Sequence, residues 1–317
     1  MSDLDISPTD SRPITSDFHL EENLITTSTS NSITKKISRI EFRLPLENNH
    51  SKILIDQEGD LITERHEKHY LLLIEHEIQT KLEDVGFQLW RSNFFLGDYL
   101  LNNLNLIEDK ILIELGAGLG VLSYILSFYA RIIFCTDLEK IVQKAEENWL
   151  ANQMNLKEKI EEKGSRILFK NLDWTEYENI FEKLSIKGSK FDLNNDDVEM
   201  LRRVDVILAA DVIYDQTITL NFFNTIFKLM TKGNKQVKLC LIANEKRINF
   251  DIDSLSVTDV AFNLFEKCMS DLDEYEDGEA GFIFEAKKIK IDSLDNYFLN
   301  YKRTKYLEIW SIKATPK

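Results

Sequence analysis

Four carboxylates and a glycine turn carry most of the chemistry this sequence offers. Gly116, Gly118 and Gly120 stand at alternate positions in Ile111-Leu-Ile-Glu-Leu-Gly-Ala-Gly-Leu-Gly120, between a short β-type apolar run and Val121-Leu-Ser-Tyr-Ile-Leu126, which has the character of a helix start. Glycine lets a backbone pass close to a ligand with no Cβ in the way, and a helix start offers unpaired N–H groups. Strand, tight turn and helix in that order would cradle a nucleoside-type cofactor. The spacing is not that of a dinucleotide fingerprint, whose third glycine comes three residues after the second. Asp137 ends a second strand-like run, Arg131-Ile-Ile-Phe-Cys-Thr-Asp137. In a doubly wound sheet a carboxylate there faces the ribose and accepts from both hydroxyls. The plainer alternative, an acidic N-cap of a helix starting near Leu138, is also physically sound.

Further marked residues fall at the ends of expected strands: Glu114 before the glycines, Asp173-Trp174, Asp211-Val-Ile-Tyr214, and Asn244-Glu-Lys-Arg247. Ligands of open α/β sheets bind at the carboxyl ends of strands, so the set carries more information than its members. Singly, Trp174 could merely cap the core, and Glu245-Lys246-Arg247 could be surface charge.

These side chains need a scaffold that brings strand ends together. Hydrophobic periodicity predicts strands at 111–115, 131–136, 166–171, 204–210 and 237–243, with helices near 119–129, 138–152, 175–185, 216–231 and 255–270. Such alternation predicts an α/β fold with a mostly parallel sheet and right-handed crossovers. Gly281 to Ile291 and Thr304 to Ile312 would close the sheet with an antiparallel C-terminal edge, making seven strands. Val85 to Leu106 would form the entrance to this domain, with Ser92 as the N-cap of an amphipathic helix. Between strands three and four, the acidic residues 188–203 look like a solvated loop insertion, and Asp271 to Glu279 like a solvated turn. The domain would span 81–317. Before it, 34–80 reads as an N-terminal β-hairpin or small sheet, and 1–33, rich in Ser, Thr and Asp, as a disordered tail.

Composition narrows the function. With 39 basic and 54 acidic residues the 317-residue chain carries a net charge of −15, which disfavours phosphate backbones and attracts lysine-rich protein segments. All five histidines precede residue 80, so a histidine nucleophile or metal site in the main domain is not expected. Three cysteines without zinc spacing suit a reducing compartment. No apolar run approaches about 18 residues and no signal core opens the chain, so neither a membrane span nor secretion is expected.

At these residues the chain resembles the seven-strand, S-adenosylmethionine-dependent protein methyltransferases known as family 16. The resemblance rests on Glu114-Leu-Gly-Ala-Gly-Leu-Gly120, Leu172-Asp-Trp174 and Asp211-Val-Ile-Tyr214, supported by Leu82-Glu-Asp-Val-Gly-Phe-Gln-Leu-Trp-Arg91 and Glu245-Lys-Arg-Ile-Asn-Phe250. It implies the class I methyltransferase Rossmann-like fold and S-adenosyl-L-methionine as cofactor. Glu114 and the backbone from Gly116 through Ala117 and Gly118 to Gly120 would hold the methionine end; Asp137 would bind the ribose; Asp173 and Trp174 would flank the adenine; Ala210 would border the site and Trp90 would fold over it. Asp211 and Tyr214 would meet the target lysine as catalytic residues. The implied partner is a protein substrate with a basic, lysine-containing segment, met by a monomeric enzyme in cytoplasm or nucleus without direct nucleic-acid or membrane contact.

Other functions stay open on the residues alone. A methyltransferase for a small molecule or RNA could use the same cofactor site, although the acidic balance weighs against RNA. A nicotinamide-dependent oxidoreductase would need the missing glycine spacing. A non-catalytic module that binds the cofactor or a partner would keep the fold and lose turnover.

Overall fold

The computed structural model describes residues 14–16, 26–27, 35–45, 54–55, 61–62, 69–182, 188–247, 250–251, 256–257, 260–299 and 301–317. Eight strands form the main sheet: β1 (Ile111–Leu115), β2 (Ile132–Asp137), β3 (Arg166–Asn171), β4 (Val206–Ala210), β5 (Lys238–Glu245), the two-residue β6 (Glu276–Asp277), β7 (Phe282–Lys288) and β8 (Leu307–Pro316). Their order is β3-β2-β1-β4-β5-β8-β7-β6. The first five are parallel to one another, and β8 runs antiparallel to both β5 and β7. This is the expected mostly parallel α/β sheet with an antiparallel end. The C-terminal strand is inserted between β5 and β7, which leaves β7 and β6 at the rim.

Helices cover both faces: α1 (Arg91–Asn102), α2 (Val121–Leu126), α3 (Glu139–Lys163), α4 (Asn195–Leu201), α5 (Gln216–Thr231) and α6 (Val260–Leu272). Alternation along each strand divides the core accordingly. Leu112, Ile133, Leu208 and Leu241 pack with α1, α2 and α3, while Ile113, Phe134, Ile207 and Ile242 pack with α5 and α6. A strand buried on both sides must be apolar throughout, and all five residues of β1 and of β4 are buried.

The strands Lys35–Arg43 and His69–Glu77 pair antiparallel, with Ile40 opposite Leu72. They share the core of the main domain, since Phe42 and Tyr70 pack on Phe128 with ring centroids 6.2 and 5.7 Å apart. On α3, Asn148 and Asn152 are one helical turn apart and present matching amides. Each takes one backbone N–H and gives one N–H to Glu75 and Leu73, at 2.8–3.0 Å.

Three expectations are revised here. The segment read as a disordered tail lies mostly outside the described residues, but Ile14–Thr15 pairs with Gln79–Thr80 and Thr26–Thr27 with Ile37 and Ser38. The 188–203 insertion is not simply a solvated loop. Asn194 and Asp197 form a capping box that starts α4, and buried Asp197 sits 2.6 Å from the Lys170 ammonium. Residues 175–185 do not form an α-helix where described; a 3-10 turn at Trp174–Asn179 is capped by Asp173 instead.

Candidate active site

The glycine turn follows β1 directly. Gly116, Gly118 and Gly120 have φ of +67°, +54° and +78°, the left-handed region where a side chain is strained. Space is equally restrictive: a Cβ on Gly116 would lie 2.8 Å from a Val212 methyl and 3.3 Å from Trp174, and one on Gly118 would lie 3.1 Å from the Gly86 carbonyl oxygen. Asp137, at the end of β2, braces the turn by accepting the Gly118 N–H at 2.9 Å and the Leu138 N–H at 2.7 Å. Asp137 is therefore not the N-cap of the next helix, whose first carbonyl acceptor is Leu138; its carboxylate braces the glycine turn and borders the cavity. Burial lifts its pKa to about 6 against the opposing pull of these hydrogen bonds and Lys140.

A cavity of about 300 Å³ opens over the turn. It gathers Trp90, Gly116, Gly118, Asp137, Asp173, Trp174, Ala210, Asp211 and Tyr214 from five separate stretches of sequence. Glu114, Ala117 and Gly120 do not line it. Strand alternation turns Glu114 under α2, where one oxygen accepts the Ser123 N–H at 3.1 Å and hydroxyl at 2.5 Å, and the other has no hydrogen-bond partner. Burial pushes its pKa to about 8, because an ionised carboxylate with a bare oxygen is costly in an apolar surround. Glu114 thus ties the glycine turn to α2 from beneath. Ala117 is buried with its N–H donated to the Thr136 carbonyl at 2.9 Å, and Gly120 is the left-handed entry to α2.

The opposite wall comes from residues 82–93. Trp90, not Ser92, is the N-cap of α1, and it caps without a side-chain hydrogen bond. Its indole N–H donates to the Val85 carbonyl at 3.0 Å, and the Arg247 guanidinium lies over its ring at 4.6 Å. Ser92 sits within the first turn. Its N–H donates to Asp211 Oδ2 at 3.3 Å. Next door, Arg91 pairs with Glu245 at 2.8 Å with both side chains largely buried, and Thr304 donates to the same carboxylate at 2.7 Å.

Asp211 follows β4 at φ +56°, a left-handed conformation uncommon outside glycine, asparagine and aspartate. Its N–H donates to the Ala243 carbonyl at 2.9 Å, and its Oδ1 accepts the Glu245 N–H at 3.4 Å. Burial raises its pKa, and the Arg247 charge pulls the other way. Tyr214, on the same wall, has its phenol pKa raised by burial and by Asp137 and Asp215. Asp173 Oδ1 accepts from the Thr175 N–H and hydroxyl at 2.9 and 2.7 Å.

A family model described as lysine methyltransferase matches residues 68–258. This chain belongs to the lysine methyltransferase family. Among curated proteins it is 30% identical to methyltransferase-like protein 22 of Homo sapiens over 270 residues, which is 84% of this chain and 64% of that protein. The Mus musculus counterpart matches at 30% over 271 residues, 84% of this chain and 66% of its own length. A protein-lysine N-methyltransferase of Chaetomium thermophilum is 25% identical over 153 residues, 47% of this chain and 40% of that one. The chain therefore spans slightly less than two thirds of the methyltransferase-like proteins' length.

The methyl donor of this lysine methyltransferase family member is S-adenosylmethionine, and the residues present fit it. The backbone at Gly116 and Gly118 forms a cradle with no room for a Cβ, and two buried polar atoms on the cavity wall, Trp174 Nε1 and Asn93 Oδ1, have no hydrogen-bond partner within the protein. Buried polar atoms ordinarily find partners, and these two stand unsatisfied on residues that line the cavity. Asn93 carries no mark in the sequence, and although Gly86, Arg91 and Glu245 stand in marked runs, nothing there foretells that Arg91 pairs with Glu245. The run Gly86-Phe-Gln-Leu-Trp-Arg91 was noted without their placement, and a single asparagine on a helix has no pattern of its own. Among the described residues no cluster of His, Cys, Asp and Glu could hold a metal ion, and no helix is long and apolar enough to cross a membrane.

Proposed function

We propose that this protein is an S-adenosylmethionine-dependent protein-lysine N-methyltransferase in which Asp211 and Tyr214 receive the lysine. The observation that carries this reading is the shared cavity: Asp211 and Tyr214 face the same space as Gly116, Gly118, Asp137 and Trp174. The names of the family and of the Chaetomium relative agree with it. In the proposed arrangement Gly116, Gly118 and Asp137 bind the donor, with Asp173, Trp174 and Ala210 around its base and sugar.

When bound, S-adenosylmethionine supplies a methyl group on a sulfonium, open to in-line displacement by a neutral amine. A free lysine is protonated at pH 7, so the site must favour the uncharged form before transfer and tolerate the cation after it. The apolar wall of Leu89, Trp90 and Phe94 excludes water and disfavours the ammonium. Asp211, held at both oxygens by backbone N–H groups, orients the amine as a fixed acceptor and offsets its developing charge. Tyr214 presents a phenol whose raised pKa keeps it a neutral donor and an aromatic face for the cation. Two salt-bridged or stacked arginines, Arg91 and Arg247, keep the wall in place.

The net charge of −15 supports an acceptor segment rich in lysine and arginine. The three free thiols are compatible with cytoplasm or nucleus, where we place the enzyme, acting as a monomer. The test is incubation of purified protein with radiolabelled S-adenosylmethionine and an extract from cells lacking the gene, read by gel and mass spectrometry. A discrete protein band carrying methyl-lysine is expected. Label appearing only in RNA or small molecules would overturn the lysine assignment.

A further inference from the structure

The wall that faces the glycine turn is held within itself by the bond from Trp90 to Val85 and to α3 by an ion pair between Asp84 and Lys140. None of the residues Leu82–Phe87 is buried and their 3-10 turn lacks a side-chain cap, yet Val85, Gly86, Gln88 and Leu89 border the cavity. Surface turns with few buried apolar contacts open readily. What fastens the end of this wall comes from far away in sequence. Ile14–Thr15 runs antiparallel to Gln79–Thr80, with Ile14 opposite Thr80. Immediately beyond that pairing, the Ser16 N–H donates to Gln88 Oε1 at 2.7 Å, across 72 residues. The Gln88 amide N–H groups donate to the Ile14 carbonyl at 2.9 Å and to Thr80 Oγ1 at 2.7 Å. The Ser16 hydroxyl donates to the Leu89 carbonyl at 2.5 Å. Ser16, Thr80 and Gln88 are only 1%, 6% and 2% exposed.

The primary amide of Gln88 therefore does for Ile14 and Ser16 what a neighbouring strand's backbone would do, one acceptor and one donor facing the donor and acceptor of the segment. The bond from Ser16 to Leu89 extends the same seam to the residue before Trp90. We propose that Ile14–Ser16 is a strap that completes the cofactor site from outside, with Gln88 as the positioning residue that converts its docking into a closed wall. The inference rests on the reading of the cavity as the S-adenosylmethionine site. It assigns the strap to donor affinity and leaves the methyl-transfer step to Asp211 and Tyr214.

The decisive variant is Ser16→Pro in the full chain, which removes both the N–H to Gln88 and the hydroxyl to Leu89. Losing two buried hydrogen bonds from the bound-state wall should raise the Kd for S-adenosylhomocysteine and the KM for S-adenosylmethionine about tenfold. The kcat at saturating donor should stay within about twofold, a split that general unfolding would not produce. Thr80→Val keeps the shape of the strand and removes one partner of the Gln88 amide, so about a threefold rise in the same two constants is expected. Calorimetric titration with S-adenosylhomocysteine and initial-rate kinetics read both. Unchanged affinity in both variants, or a fall in kcat at unchanged KM, would overturn the strap. Wild-type protein that folds but binds no S-adenosylhomocysteine would instead remove the cofactor reading itself, and the strap with it.

Discussion

Replacing Asp211 with asparagine separates charge from shape at the position where the proposed acceptor arrives. The side chain keeps its size, and asparagine is one of the few residues that accepts the left-handed backbone found there, φ +56°. The two carboxylate oxygens each take one backbone N–H, from Ser92 at 3.3 Å and Glu245 at 3.4 Å. An amide offers a single carbonyl oxygen, so one of these N–H groups loses its acceptor at a cost of about 1 kcal/mol. Both bonds are long, and removing a buried charge works in the opposite direction, as the raised pKa of Asp211 indicates. The net effect on stability should lie within about 1 kcal/mol, a shift of about 2–4 °C in Tm. Neither bond involves the glycine turn or Asp137, so the affinity for S-adenosylhomocysteine should change by less than about threefold. Turnover should behave differently: an amide cannot offset the charge on the amine, and loss of one preorganised electrostatic partner lowers kcat about 100-fold or more. Transfer of labelled methyl to protein, measured beside calorimetric binding of S-adenosylhomocysteine, reads the two effects independently. Turnover within about threefold of wild type would remove Asp211 from the mechanism.

The remaining expectations concern the turn and its carboxylates. Gly118→Ala places a methyl 3.1 Å from the Gly86 oxygen at φ +54°, so donor binding should weaken at least about tenfold while the sheet still folds; unaltered affinity by calorimetry would mean the cradle is looser than described. In the proposed ribose role Asp137 would be an ionised acceptor, and its pKa is about 6, so affinity should weaken as pH falls through 6, and Asp137→Asn should abolish that dependence along with most of the affinity; a wild-type affinity that is flat in pH would exclude the ribose role. Glu114 holds its proton in the folded state to about pH 8, against about 4.3 when unfolded. The native state therefore binds the extra proton across that window, and stability should decline as pH rises through it. Glu114→Gln should flatten the decline, so that its urea midpoint gains on wild type between about pH 5 and about pH 8; a midpoint difference independent of pH would show that Glu114 is ionised throughout.

Much of the site was legible because it is built from local signals. Alternate glycines after an apolar run, and carboxylates closing the next strands, mark a crevice before any coordinates are known, and strands 111–115 and 166–171 appear at the expected bounds. What escaped depends on pairings far apart in the chain. Glu114 looked like a ligand group by its place in the motif, but the period of β1 directs it beneath α2, a difference that only the packing of Ser123 reveals. Ser92 looked like a cap by residue type, whereas the chain enters α1 through Trp90 because the indole is already held by Val85 and Arg247. The acidic 188–203 stretch looked solvated, yet Lys170 from β3 draws Asp197 inside. Ile14–Ser16 has too few residues to show any period, and its partner Gln88 is an uncharged polar residue in a loop.

The insertion of β8 between β5 and β7 also has a temporal meaning. During synthesis β1 to β5 can assemble in sequence, each new strand joining a parallel neighbour already made. β7 cannot, because the place beside β5 belongs to β8, which is made later. Until residues 307–316 emerge, β5 presents an open edge of eight residues and β7 has no long partner. The same late strand carries Leu307 and Ile309 into the core beneath α1, next to Thr304 and the Arg91–Glu245 pair. Closing the sheet and fixing the wall that carries Trp90 are therefore one late event, and a nascent chain still lacking those residues would offer chaperones an unpaired strand edge.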